Sequence, residues 1–243
     1  MEIVATDFWL PKNGSSEAEY EDASAIAEGK LRFAVADGAT ETSFSKIWAK
    51  QLVRAFVDGR LSIPIVTDEL GPLQSRWQKI VHRHPLPWYA EEKASDGAFA
   101  AFVGLQFFDA RSETDVKTNW RAAAAGDSCL FQLRDGKIVE SFPLEDSGSF
   151  NDRPNLLGSV ANGNGSLETM SRAGGPVFAG DVFFLMTDAI ACWFLKEHER
   201  GNKPWDLLQG QDQSSFRDLV TNLRAEKEMK NDDVTLVRID FIA

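Results

Sequence analysis

The amino-acid sequence predicts an α+β fold in which antiparallel sheets are covered by helices. Side chains alternate between two faces from Leu31 to Gly38, which is the period of a strand. From Phe44 to Phe56, apolar residues recur at three- and four-residue spacings, as they do on one face of a helix. Strand-like segments then follow one another between residues 98 and 142. Because a doubly wound parallel sheet requires a regular alternation of strand and helix, this order favours antiparallel sheets.

A hairpin and two helices are predicted in the first part of the chain. Residues 21–28 should pair with the strand that ends at Asp37, with Gly29 in the turn between them. The first helix should pack on this sheet through its apolar face. A second apolar stripe from Leu70 to Val81 predicts another helix, with Pro72 in its first turn.

A meander of strands and a long loop are predicted next. The last two strands of the meander are joined by a hairpin turn at residues 134–136. Residues 144–176 are rich in Gly, Ser and Asn and show few apolar periods, so we expect a loop there, and loops of that length usually have a function. The strands of the meander comprise residues 98–108, 119–125, 128–133 and 137–142.

Strand and helix alternate in the last part of the chain. The apolar run from Asp181 to Thr187 predicts a strand that is covered on both faces. A helix should follow and end at Gly201. The remaining predicted elements are a helix around residues 216–223, with Ser215 and Asp218 as a capping box, and a closing strand at residues 234–241.

Composition is that of a soluble globular protein and excludes several classes of function. A chain of 243 residues can form one domain, so residues 1–243 are predicted to be a single domain. The formal net charge of -11 argues against a general nucleic-acid or membrane-binding surface. No segment approaches the roughly 20 apolar residues of a transmembrane helix. We find no signal-peptide pattern and expect Cys129 and Cys192 to be buried thiols, as in a cytoplasmic protein.

Acidic residues recur at the boundaries of the most apolar segments. Asp37 and Asp188 each end such a segment, whereas Asp232, Glu21 and Asp22 each precede one. Carboxylates in these places would be partly desolvated and would repel one another, and both effects raise a pKa unless a cation balances the charge. Mg2+ and Mn2+ prefer oxygen ligands and can turn a bound water into a nucleophile. Any one of these residues alone is better explained as a strand cap or a turn residue, and the metal hypothesis depends on their recurrence.

Other chemistries find less support in the sequence. The three histidines do not form a His-Glu-x-x-His motif, and neither a Gly-x-Ser-x-Gly turn nor a Walker loop is present. Neither cysteine has a nearby basic residue that would lower its pKa, so core packing is the better interpretation for both.

Five short motifs occur in a particular order along the chain. They are Glu21-Asp22-Ala23, Phe-Ala-Val-Ala-Asp-Gly at 33–38, Ala-Gly-Asp-Ser at 125–128, the apolar strand and aspartate at 181–188, and Asn-Asp-Asp-Val-Thr at 231–235. This order resembles that of the metal-dependent serine/threonine protein phosphatases, the protein phosphatase 2C family, from about residue 16 to the end. The resemblance implies a four-layer αββα sandwich of two antiparallel sheets flanked by helices.

The resemblance also implies a site for two divalent cations, Mn2+ or Mg2+. Asp37, Asp188 and Asp232 would bind one cation, and Asp37 with the carbonyl group of Gly38 would bind the second. Glu21 would reach the second cation through a water molecule. In the family, a water that bridges the two metals attacks the phosphorus in line with the leaving group.

Two further acidic residues have counterparts in the resemblance, and four positions depart from it. Asp127 would contact a weaker third cation that some members bind, and Asp22 would support the cation ligands. The departures leave in place every carboxylate that the resemblance assigns above to a cation. Glu17 replaces an arginine that binds phosphate, Ala39 replaces a histidine proposed as general acid, Ala189 replaces a glycine, and Cys192 replaces an aspartate.

Three functional hypotheses follow from these residues. The first is a monomeric phosphatase that removes phosphate from serine or threonine of a phosphorylated protein substrate, opposing a cognate kinase. The second is a catalytically weak or inactive relative that binds a phosphorylated partner, and the third is a phosphatase for a small metabolite. In each of them, residues 144–176 are predicted to form a flap over the substrate.

Overall fold

The computed structural model describes residues 2–39, 44–83, 85, 87–111, 116–150, 155–160 and 170–242. The strands are β1 (Glu2–Leu10), β2 (Ala23–Ala27), β3 (Arg32–Gly38), β4 (Phe99–Arg111), β5 (Val116–Ala125), β6 (Cys129–Arg134), β7 (Lys137–Phe142), β8 (Leu157–Gly158), β9 (Ser171–Pro176), β10 (Val182–Met186) and β11 (Val234–Ile242). The helices are α1 (Ser45–Asp58), α2 (Thr67–Val81), α3 (Trp88–Asp96), α4 (Asp188–Glu199), α5 (Pro204–Leu208) and α6 (Gln213–Ala225). None of the helices in these ranges is both long and apolar enough to cross a bilayer.

The strands form two sheets. One has the order β1-β11-β10-β6-β7 and the other the order β2-β3-β4-β5-β9, with β8 paired to β4. Within the described ranges, all strand pairs are antiparallel. The chain therefore enters the first sheet three times and the second sheet twice, and sequence-distant strands become neighbours.

The two sheets pack face to face, and helices cover both outer faces. Aromatic rings fill the space between the sheets, where the Phe107 ring lies 5.0 Å from that of Phe183 and 4.7 Å from that of Phe241. Helices α1 and α2 cover the β3–β4 side, and helices α4 and α6 cover the β10–β11 side. The predicted α+β class with two antiparallel sheets flanked by helices is confirmed.

Most predicted elements occur within a few residues of their expected bounds, and the differences have local causes. The region 144–176 contains the short strand β8 and the strand β9, which were not predicted, because β9 is a mostly exposed edge strand of sequence Ser-Arg-Ala-Gly-Gly-Pro. The predicted flap includes residues 151–154 and 161–169, which lie outside the described ranges. Strand β1 is also an edge strand, and its weak apolar pattern was missed.

Two helix starts also differ from prediction. Helix α6 is capped by the side chain of Asp212, which accepts a hydrogen bond of 2.8 Å from the backbone of Ser215, so Ser215 is the third helical residue and not the cap. Helix α2 begins at Thr67, which places Pro72 inside the helix. The sequence did not predict Asp212 as the helix cap, because Asp212 lies in a polar stretch with no apolar periodicity to mark the helix boundary.

Asp181 fixes the start of β10, the strand that leads to Asp188. Its carboxylate is fully buried and accepts hydrogen bonds of 2.8 Å from both donating nitrogens of the Arg134 side chain. The Gln132 side chain donates a further bond of 2.8 Å, and the backbone of Phe178 donates one of 3.0 Å. A buried carboxylate with four donors is fully satisfied, and removing it would leave the Arg134 and Gln132 side chains with only the carbonyl oxygen of Pro176 as acceptor, at 3.1 Å from each.

We predict that Asp181→Ala lowers the free energy of unfolding by about 2–4 kcal/mol, because Arg134 and Gln132 lose their shared acceptor. Urea unfolding followed by circular dichroism would measure the change. Asp218→Ala is the matched control, since Asp218 is exposed on α6 and such a substitution changes stability by about 0.5 kcal/mol or less. Equal stability of the two variants would contradict this account of the strand start.

Candidate metal centre

Strand register brings three of the predicted site residues to one end of the first sheet. Asp188 is the first residue of α4 and is separated from the end of β10 by Thr187 alone, whereas Asp127 and Asp232 precede β6 and β11. The last residue of β10 pairs with the first residue of β6 and with a residue near the start of β11. Because neighbouring strands are antiparallel, the end of β10 lies beside the starts of the other two strands.

The second sheet contributes the other predicted residues at the same end of the sandwich. Asp37 and Gly38 close β3, and Glu21 and Asp22 precede β2. The first residue of β2 pairs with Ala36, so the entry of β2 lies beside the exit of β3.

Asp22 connects the two sheets directly. Its side chain is 1% exposed, and one carboxylate oxygen accepts hydrogen bonds from the hydroxyl groups of Thr187 at 3.0 Å and Thr235 at 2.8 Å. The hydroxyl group of Thr235 also contacts that of Tyr20. The other oxygen, Oδ1 of Asp22, is buried and has no hydrogen-bond partner within the described ranges.

Burial and mutual repulsion raise the pKa values of these carboxylates. Burial, followed by the charges of Asp233 and Asp188, raises the pKa of Asp22 to about 8 against the opposing hydrogen bonds from the two threonines. Burial also raises the pKa of Asp37, and the charges of Asp22, Asp188, Asp127 and Asp232 raise it further.

The same causes act on Asp127 and Asp188. Burial and the charge of Asp188 raise the pKa of Asp127 to about 6. Burial raises the pKa of Asp188, although the ammonium group of Lys230 opposes the rise. The predicted aspartates therefore lie close enough together for each to influence the charge of its neighbours.

Lys230 lies between two of the predicted cation ligands. Its ammonium group is 2.7 Å from Asp232 Oδ2 and 3.4 Å from Asp188 Oδ2. Burial alone would lower the pKa of Lys230, but the hydrogen bond to Asp232 and the charge of Asp188 raise it above its ordinary value. The side chain is 67% exposed, so the positive charge can leave this position without disturbing the core.

Glu21 is held by groups from three parts of the chain. Ser45, the first residue of α1, donates a hydrogen bond of 2.6 Å to Glu21 Oε1, and Lys12 Nζ lies 3.6 Å from Oε2. The Glu21 backbone donates to Asp233 Oδ2 at 2.7 Å. A side chain on Gly38 would have its Cβ only 2.8 Å from the carbonyl oxygen of Glu21, so only glycine fits between these segments.

A cavity of about 210 Å³ adjoins this group of residues. Asp127 and Asp188 line one side of it, and two lysines, Lys196 and Lys230, supply positive charge. Cys192, which stands where the resemblance has an aspartate, also lines the cavity. The prediction of a buried thiol holds for Cys129 but is wrong for Cys192, which is half-buried and has Lys196 nearby. Burial raises the pKa of the Cys192 thiol against the effect of Lys196, so the group is neutral there and does not replace a carboxylate.

The oxygen donors of this centre suit hard divalent cations. Within the described ranges, however, no group of three or more acidic, histidine or cysteine side chains is arranged so that it could hold a metal ion without rearrangement. Carboxylates that face one another without a cation repel, and the ammonium group of Lys230 separates Asp188 from Asp232. Oxygen donors, an unpartnered buried carboxylate oxygen on Asp22 and the close backbone approach at Gly38 all fit Mg2+ or Mn2+.

Several residues of this centre were not found from the sequence. Lys230, Lys196 and Ser45 reach the centre through tertiary contacts that no local pattern encodes. Asp233 was named only as part of the motif at 231–235, and its carboxylate accepts backbone hydrogen bonds from Lys12 and Glu21. The nearest signal for Lys230 was its place two residues before Asp232.

Comparison of the sequence with known protein families and with curated proteins finds no match. Solved structures do match. PppA, described as a key regulatory component of T6SS in Pseudomonas aeruginosa, superposes with a TM-score of 0.62 at 20% identity, over 99% of this chain and 98% of PppA. The Mycobacterium tuberculosis serine/threonine phosphatase PstP/Ppp gives 0.61 at 15% identity over 99% of each chain.

A third matching structure is the catalytic domain of the serine/threonine protein phosphatase PstP in complex with two manganese ions, with a TM-score of 0.59 at 17% identity over 100% of both chains. Likeness at these identities establishes the fold. The chain has the fold of the bacterial serine/threonine phosphatases of the protein phosphatase 2C type.

Proposed function

We propose that this protein is a metal-dependent phosphatase that hydrolyses phosphoserine or phosphothreonine on proteins. The observation that supports the proposal best is the gathering of strand-end carboxylates at one end of the sandwich, where Asp188 and Asp232 share a single ammonium group as counter-ion. Buried like charges cost stability, so a site that retains them is a candidate for function.

The oxygen donors of the chain divide into sets for different ions. When bound, the divalent cations would neutralise phosphate charge and supply a water nucleophile at neutral pH. We infer that the donors are Asp37, Asp188 and Asp232 for one ion, Asp37, the Gly38 carbonyl and Glu21 through water for a second, and Asp127 for a weaker third.

Residues around the donors fix their positions. Thr187 directly precedes Asp188, and its hydroxyl group is bound to Asp22, which sets the direction in which α4 begins. The hydrogen bond from Ser45 holds one oxygen of Glu21 and leaves the other to Lys12. A donor that is already held needs little rearrangement when a ligand binds.

Lys196 and Lys230 would bind the phosphate in place of the missing arginine. Glu17, at the position of that arginine, is exposed, and its backbone is tied to Lys46. The two lysines instead line the cavity beside Asp127 and Asp188. With Asp188 and Asp232 bound to a divalent cation, the Lys230 ammonium group would be free to pair with a phosphate oxygen.

The ion pairs of Lys230 also favour a second candidate, a protein that binds a phosphorylated partner without hydrolysis. If the ammonium group remains between Asp188 and Asp232, it already supplies the charge that a cation would bring. Such a protein would bind phosphopeptide and release no phosphate. Metal binding therefore separates the two candidates.

We predict that the protein hydrolyses p-nitrophenyl phosphate and a phosphoserine peptide with Mn2+ or Mg2+ and that EDTA abolishes both reactions, because the carboxylates alone repel a phosphate. Release of phosphate and of p-nitrophenol would be measured in parallel. Turnover that persists in EDTA would exclude the proposed chemistry. Tight phosphopeptide binding without phosphate release would select the second candidate.

Asp37→Asn and Asp188→Asn should each lower turnover by about a hundredfold or more and weaken Mn2+ binding, since each removes a charged ligand. Both variants should be at least as stable as the wild type without metal, because each relieves repulsion among buried carboxylates. Calorimetric titration with Mn2+ and thermal unfolding would measure the two effects. Asp218→Asn is the surface control, and normal turnover in either site variant would contradict the assignment.

Lys230→Met should raise the affinity for Mn2+ by about tenfold, equivalent to about 1.4 kcal/mol, because it removes the cation that competes for Asp188 and Asp232. The same change should raise KM for a phosphopeptide, because it removes a phosphate-binding group. Lys203→Met is a control at an exposed lysine of another helix start. Unchanged Mn2+ affinity would mean that Lys230 does not compete with the metal.

A further inference from the structure

A basic groove lies between helices α1 and α2 and shares no lining residue with the cavity beside Asp127 and Asp188, although Lys50 and Arg54 also line a neighbouring pocket with Asp22. Its volume is about 190 Å³, and four of its lining residues are the cations Lys50, Arg54, Arg60 and Arg76. No acidic residue of the described ranges lines it. In a chain with a net charge of -11, four cations around one groove form a local reversal of the overall charge.

Among the residues that the structure describes, three of these cations have no counter-ion. Lys50 and Arg54 are one helical turn apart on α1, and Arg76 faces the same groove from α2. Within the described ranges, none of the three forms a hydrogen bond or an ion pair through its side chain, whereas Arg60 lies 2.9 Å from an oxygen of Asp58. Burial and then the charges of Lys46 and Arg54 lower the pKa of Lys50, as expected for uncompensated positive charge.

The groove also contains a buried polar group without partners. Gln51 is 9% exposed, and neither its amide nitrogen nor its amide oxygen has a hydrogen-bond partner within the described ranges. A buried amide without hydrogen-bond partners destabilises the folded protein. A rotation of its flexible side chain would turn the amide into the groove, where a ligand with both a donor and an acceptor would satisfy it.

The combination of groups fits a peptide better than a free anion. A peptide bond offers one N–H and one C=O, which match the two ends of the Gln51 amide, whereas phosphate offers chiefly acceptors. The aliphatic side chains of Ile47, Leu73 and Ile80 supply apolar surface between the cations. A cavity of about 190 Å³ is smaller than the roughly 300–1,000 Å³ typical of sites for drug-sized molecules, so it suits a few side chains of an extended segment.

We propose that the groove between α1 and α2 binds an acidic peptide segment of a protein partner. Carboxylates of the segment pair with Lys50, Arg54 and Arg76, and its backbone bonds to the amide of Gln51. The negative charge of the rest of the protein repels the same segment from other surfaces, which directs it to this groove. The partner can be the substrate protein or a regulator, because the groove is separate from the acidic centre.

Fluorescence anisotropy with a short labelled peptide of alternating glutamate and leucine tests the proposal. The measurement is made in EDTA, so that it does not depend on the metal centre or on phosphatase activity. We expect binding that weakens with salt, and we expect the glutamine counterpart of the peptide to bind at least about tenfold more weakly. Equal binding of the two peptides, or full displacement by inorganic phosphate but not by chloride, would overturn the proposal.

Three variants locate the binding surface. Arg54→Glu combined with Arg76→Glu should weaken peptide binding at least about tenfold, and Arg217→Glu, at an exposed arginine of α6, should leave it within about twofold. Gln51→Leu should weaken binding about threefold while raising the melting temperature, because it removes the unsatisfied amide from the free protein. Unchanged affinity in the double variant would exclude this groove, and unchanged affinity in Gln51→Leu would exclude the backbone contact.

Discussion

The buried carboxylate of Asp22 ties the two sheets together at the end where the acidic residues gather. It is shared by Thr187, between β10 and α4, and Thr235, in β11, while Asp22 itself belongs to the entry of β2. The threonines are also joined to each other, since the backbone of Thr235 donates to the Thr187 hydroxyl group at 3.0 Å. The position of Glu21 relative to Asp188 therefore depends on this one shared acceptor.

The buried carboxylate of Asp22 lowers the stability of the fold, and the other residues of the centre offset this loss only in part. Burial and the neighbouring charges raise the pKa of Asp22, and its second oxygen has no partner in the described ranges. Lys230 offsets the repulsion between Asp188 and Asp232 but does not contact Asp22 or Asp37. A fold selected for stability alone would replace such a cluster with apolar side chains, so its retention is consistent with a trade of stability for function.

The sequence predicted those helices and strands whose burial leaves a pattern of apolar residues within the segment itself. The apolar runs before Asp37 and Asp188 and the antiparallel meander could be recognised because burial imposes a period on each strand. Strand β9 could not, because an exposed edge strand needs no such period. The fit of Gly38 against Glu21, and the place of Lys230 between two aspartates, depend on contacts between segments that are distant in sequence, which no periodicity records.

Helix α1 contacts the acidic centre at its start and the basic groove further along. Its first residue, Ser45, contacts Glu21 in the acidic centre, whereas Lys50 and Arg54, further along, line the basic groove. A net charge of -11 repels a phosphorylated acidic protein, and at about 0.1 M salt that repulsion is largely screened at separations beyond about 10 Å. Productive encounters then depend on the few places where the field is reversed. The α1–α2 groove and the Lys196–Lys230 cavity are two such places. A substrate that binds both would need a particular distance between its acidic segment and its phosphate group, so this distance would select substrates more than total affinity does.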